Sequence, residues 1–261
     1  MLVIREEQIE ALAAAVAGGF ETELVKHIKN FAPRHSAVVG AEGIRETVRR
    51  GMERARTYGF TNRGPSRFFV ELMVMFGSQF DTDPLLPWAE GVLNNESIKN
   101  QMERADILHE AMREYMDEVF GSEKKNFFDA MRRLSRTRLE DYPSPGGNFE
   151  SAIKAGLNTI YPQKCNYLGE EALNDLIGRG KESALSYSIS SVHGAALLIV
   201  LMFVLGHGVT RDPLYPWISQ TLEDESVADP DEKVKRLQAK MKTYLDRTLK
   251  NLGQEKVYGA I

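Results

Sequence analysis

A chain of 261 residues with 43% apolar and 9% aromatic residues can bury a substantial core, which excludes an intrinsically disordered segment. The formal net charge is −4, made of −5 over residues 1–129 (16 basic, 21 acidic) and +1 over 130–261 (17 basic, 16 acidic). Neither half has the basic excess that phosphate binding needs, so no nucleic-acid partner is expected.

The opening "MLVIREEQIEALAAAVAGGF" contains an alanine run like the core of a signal peptide. Acidic Glu6, Glu7 and Glu10 stand where such a peptide is basic, so the segment reads as a soluble helix. Apolar residues recurring at three and four, with no alternating pattern bounded by turn residues, make the whole chain all-α. The first part should hold helices at about 5–31, 41–58, 64–78, 84–94 and 98–120. A connecting helix over residues 122–143, capped by Ser122, ends in the turn Pro143, Pro145, Gly146 and Gly147. Further helices fall at about 147–160, 170–187, 193–206, 213–223 and 230–252, followed by a loosely held tail, "EKVYGAI".

The second set of helices repeats the first. Shifting the sequence by 129 residues pairs "FDTDPLLPW" (80–88) with "VTRDPLYPW" (209–217). Without a gap it also pairs Pro33 with Pro162, Gly40 with Gly169, Gly51 with Gly180, Gly77 with Gly206 and Tyr115 with Tyr244. About a quarter of the positions from 20 to 121 are identical. Such a period is a tandem duplication of a small domain. The expected architecture is two helical lobes related by pseudo-symmetry, residues 1–121 and 146–261, joined by a connecting helix and turn over 122–145. In D-P-x-x-P-W, Asp83 and Asp212 are expected to cap a helix that starts at Pro84 or Pro213. Trp88 and Trp217, the only tryptophans, would then anchor that helix to its lobe.

The apolar run Gly194–Gly206 is too short to cross a bilayer and reads as a core helix, so the protein is expected in the cytoplasm, without a membrane partner. The single cysteine, Cys165, excludes an internal disulfide and reads as a small buried hydrophobe. His27, His35, His109, His193 and His207 form no H-E-x-x-H pair, and Asp106 with His109 lacks counterparts in the second copy, so no metal or cofactor is assigned. Glu71, in an otherwise apolar helix, needs a partner, for which Arg67 one turn earlier is the candidate; as a general base it has no second catalytic group. The interleaved Arg45, Arg49, Arg50, Arg54 and Arg56 read as a salt-bridged solvated face. Arg132, Arg133, Arg136 and Arg138 form a less diluted stripe on the connecting helix: either a solvated face or a surface for an acidic protein.

"MLVIREEQIEAL", "RRGMERARTYGFT" and above all "FFVELMVMFGSQFDTDPLLPWA" resemble a family of small helical bacterial proteins encoded in type VI secretion clusters, beside spike, PAAR-tip and toxic effector genes. The resemblance covers most of the chain and is clearest in the first copy. It implies a non-enzymatic, protein-binding accessory role: an adaptor or co-chaperone that holds an effector or its loading chaperone in the cytoplasm. The alternative is an immunity protein neutralising a cognate toxin.

Overall fold

The computed structural model describes residues 6–138 and 148–258, with side chains described for 18–138 and 148–250. Among the described residues there are eleven α-helices and no strand. The first half contains α1 (Glu6–Phe31), α2 (Pro33–Thr57), α3 (Arg63–Phe76), α4 (Pro87–Leu93) and α5 (Gln101–Tyr115). After a π-helical turn and a 3-10 turn, α6 (Lys125–Arg136) leads into α7 (Phe149–Ile160), α8 (Pro162–Ser186), α9 (Val192–Leu205), α10 (Pro216–Leu222) and α11 (Pro230–Tyr258). Both ends of α2, α3 and α4, moved by 129 positions, fall on both ends of α8, α9 and α10. One continuous cluster of buried side chains runs through both halves.

Several boundaries depart from the sequence reading. Pro33 and Pro162 already start α2 and α8, where a missing backbone N–H costs nothing. Gly40 (φ 83°) and Gly169 (φ 71°) then bend each helix without ending it. The connecting helix begins at Lys125, after a 3-10 turn at Ser122–Lys124, and no side chain caps it. It ends at Arg136, with Thr137 extended, and the turn expected at Pro143–Gly147 lies outside the described residues. The last helix runs on to Tyr258, beyond the expected end at 252.

Glycine sets the distance between α2 and α3 and between α8 and α9. A Cβ on Gly51 would lie 2.7 Å from Val70 Cγ2, and one on Gly180 would lie 2.2 Å from Ile199 Cγ1. With the bare backbone of α8 against it, α9 is enclosed, and the nine residues Gly194 and Ala196–Phe203 are buried. This is why an all-apolar helix of that length is stable in water.

The D-P-x-x-P-W segment is built differently from the expectation. A 3-10 turn (Phe80–Thr82 or Val209–Arg211) precedes Asp83 or Asp212, and both aspartates are extended. Pro87 and Pro216, not Pro84 and Pro213, open the helices, whose N-caps are Leu86 and Tyr215 with no side-chain cap. Each aspartate instead closes an Asx turn, with Oδ1 accepting from the N–H of Leu85 or Leu214 at 2.9 Å. Trp88, half-buried at the second helical position, meets Phe76 edge-on at 5.5 Å and Tyr115 at 6.0 Å; Trp217 stacks on Tyr244 at 5.9 Å. Truncating Trp88 or Trp217 to alanine is expected to destabilise the fold by about 3 kcal/mol, the lower end for large aromatic truncations because both rings keep some exposure. Urea unfolding of the two variants measures it.

Candidate functional site

The other carboxylate oxygen of each aspartate crosses between the halves. Asp83 Oδ2 accepts from the backbone N–H of His207 at 2.9 Å, and Asp212 Oδ2 accepts from that of Ser78 at 2.7 Å. Residues 78 and 207 are counterparts, as are 83 and 212, so the two bonds are reciprocal. Gly77 (φ 104°) and Gly206 (φ 106°) make this approach possible. A Cβ on Gly77 would lie 2.9 Å from the Leu205 carbonyl oxygen, and one on Gly206 would lie 3.0 Å from that of Phe76. A carboxylate accepting two backbone N–H groups at 2–3% exposure is a charge-assisted contact with little competition from water. Gly77→Ala and Gly206→Ala combine a left-handed backbone with a backbone clash. Each is expected to lower stability by roughly 2–4 kcal/mol in denaturant titrations.

Beside this seam lies a small, partly open cavity of about 70 Å³ lined by Asp83, Tyr115, Tyr161, Lys164, Gly206 and Tyr215, among others. That is room for about two waters, far below the several hundred cubic ångströms of ordinary small-molecule sites. Lys164 is buried, donates to the carbonyl oxygen of Phe203 and sits over that residue's ring at 5.1 Å. Burial pushes its amine down to about 8, against the opposing pull of Asp83. Its counterpart, His35, meets Tyr215 edge-on at 5.4 Å, and its Nε2 has no hydrogen-bond partner. Burial lowers the His35 imidazole to about 4. Burial also raises the Asp212 carboxyl, an effect that the N–H groups of Ser78 and Leu214 and the charge of Arg50 oppose. Cys165, next to Lys164, is a buried thiol pushed up to about 11, the opposite of an activated nucleophile.

These shifts fix the sign of the pH dependence. Between about 8 and 10.5 the unfolded chain holds a proton on Lys164 that the folded chain has released, so stability rises with pH there. Below 8 the whole penalty is present, about 3 kcal/mol. Lys164→Met should therefore be more stable than the wild type at pH 7, with the advantage shrinking from pH 8 to 10. His35 acts at the other end: its contribution is complete above 6.5 and is lost as pH falls toward 4. Thermal melts of the wild type, Lys164→Met and His35→Leu across pH 4–10 check both slopes.

Asp81 and Asp83, two residues apart, have different partners. Asp81, 1% exposed, is held by Arg54 (Nη2 to Oδ1, 2.7 Å) and by the Tyr58 hydroxyl at 2.9 Å. The second copy has Ser183 and Thr210 in place of Arg54 and Asp81. Glu71 does meet Arg67, at 3.5 Å, but its closer partner is His27, whose Nε2 lies 2.6 Å from Oε1. Sequence reasoning missed His27 because it lies 44 positions away on α1. Close by, between α1 and α3, an open cleft of about 240 Å³ is lined by Phe20, Lys26, His27, Asn30 and Arg67 with their neighbours.

The four arginines of the connecting segment are all exposed, and one of them, Arg133, reaches a carbonyl of another helix. On α6, Arg132 Nη1 pairs with Asp129 Oδ1 at 2.7 Å, and Arg133 Nη1 donates to the Ile160 carbonyl oxygen at 3.3 Å. Arg138, past the helix end, lines a narrow gap against α9 and α11 and is also engaged. Arg136 is exposed. Beneath α6, Ile160, Leu197 and Val200 are 1–2% exposed. Their counterparts in the first half, Phe31, Phe68 and Glu71, retain exposure, and Phe31 reaches 44%.

No protein-family model, curated protein or solved structure matches this chain. Among the described residues, no group of three or more His, Cys, Asp or Glu could hold a metal, and no helix is long and apolar enough to cross a membrane.

Proposed function

We propose that the chain is a non-enzymatic accessory factor that holds another protein. The observation that carries this reading is the unequal covering of equivalent surfaces. Ile160 is 2% exposed and Phe31 is 44% exposed, although the two occupy the same place in the repeat. An exposed phenylalanine beside a half-exposed one, on a face that the other half keeps dry, is the surface expected of a binding site. Four buried ionisable groups, by contrast, are engaged within the chain. Asp83 and Asp212 join the halves, Arg54 holds Asp81, and Lys164 binds the Phe203 carbonyl. The reciprocal seam supports a pseudo-symmetric pairing of the two copies.

The nature of the partner comes from the resemblance to type VI secretion proteins. On that reading the chain is a cytoplasmic adaptor or co-chaperone that holds a secretion effector, or its loading chaperone. A tagged chain purified from cells expressing the neighbouring secretion genes should retain one such protein at fixed stoichiometry, and deletion of the gene should abolish delivery of that effector. Self-killing after deletion, with secretion intact, would shift the assignment to an immunity protein. Failure to retain any specific protein would overturn the holder reading.

A further inference from the structure

The second half supplies a template for what the open face of the first half accepts. There α6 lies against α7 and α11, burying Ala130, Met131 and Leu134. With half-buried Phe127 these residues follow the i, i+3, i+4, i+7 spacing of an amphipathic stripe. Its C-terminal end closes over Leu197, Val200 and Met241, leaving a gap of only about 10 Å³. Arg133 completes the seating through the Ile160 carbonyl, at the end of α7 where the helix dipole is negative.

The equivalent positions in the first half are Phe31, Phe68, Glu71 and Met112. There α1 packs on α2 and α3, and α3 packs on α5, and among the described residues no helix takes the place of α6. α1 runs as one helix from Glu6 to Phe31. The exposed side of α5 carries Glu103, Asp106, Glu110 and Glu114 with His109, which meets Phe68 edge-on, and Arg113 among them, and the π-helical turn that follows adds Asp117 and Glu118. The corresponding stretch of α11 is mainly basic, with Lys235, Arg236, Lys240, Lys242 and Arg247 exposed alongside Asp246. The α1 border is mixed, with Glu23 paired to Arg63 and Lys26 nearby, so the charge preference comes from α5.

We propose that the face formed by α1, α3 and α5 is a docking groove for a basic amphipathic helix of the partner protein, seated as α6 is seated on the second half. Its apolar stripe lies on Phe31 and Phe68, beside the already buried Met112, and its cations face α5. One basic side chain reaches the C-terminal end of α1, as Arg133 reaches that of α7. This rests on the reading of the chain as a holder of another protein and adds the form and charge of what is held.

The chain's own connecting segment provides the probe. A fluorescently labelled synthetic peptide of residues 122–138 is titrated against the full chain by anisotropy at low and high salt, with a scrambled peptide as control. The expected result is saturable binding of one peptide per chain, weakened by salt because the rim is charged. Phe31→Glu should lower the affinity about tenfold or more, and Glu110→Lys with Glu114→Lys severalfold, with circular dichroism and thermal midpoint unchanged. Leu185→Glu, at a residue 70% exposed on α8, should leave the affinity unchanged. The proposal is overturned by the absence of saturable binding, by binding indifferent to Phe31→Glu, or by a wild-type dimer in sedimentation that Phe31→Glu dissociates. The last result would make a second copy the occupant. If the peptide fails while the tagged chain still retains its protein, the groove assignment falls and the holder reading stands.

Discussion

Two carboxylates, Asp83 and Asp212, set the condition on which the rest of the structure depends. Each organises its own turn through Oδ1 and reaches the backbone of the other half through Oδ2. The bonds require the two chain segments at residues 77 and 206 to approach more closely than any side chain allows, and glycine stands at both positions. They also require the aspartates to be shielded from solvent, and both are only 2–3% exposed. The shared aspartate of the nine-letter repeat thus makes a reciprocal contact: in each copy it binds the backbone two residues before the other copy's motif.

Burial at the seam has electrostatic consequences that differ between the copies. The same position is His35 in one and Lys164 in the other. The imidazole meets its surroundings by staying neutral, and the amine by holding a carbonyl oxygen and facing Asp83. Divergence outside the seam follows the same logic. Where α6 covers the second half, the face is Ile160, Leu197 and Val200. On the open first half it is Phe31, Phe68 and Glu71, and Glu71 is kept in place by His27 and Arg67. The difference between the copies therefore points to function more directly than their likeness does.

The helical class, the ungapped repeat and the buried helix at 192–205 were legible because each rests on local spacing. The role of the D-P-x-x-P-W aspartates was not. An aspartate before a proline reads as a helix cap when only neighbours in sequence are considered, and here its second oxygen is bound 124 or 134 positions away. The pairing of Glu71 with His27 escaped for the same reason. The arginines of the connecting segment were visible as a stripe, but the contacts of Arg133 and Arg138 depend on the carbonyl end of α7 and on the α9 and α11 surface, which no local pattern encodes.

A double-mutant cycle on the two aspartates tests the central claim most directly. Asp83→Asn, Asp212→Asn and the double variant are compared with the wild type by denaturant unfolding. If the two reciprocal bonds close one seam, either substitution opens it and the second adds little, giving a coupling energy of about 1 kcal/mol or more. Effects that add to within about 0.5 kcal/mol would show two independent turns and contradict the account.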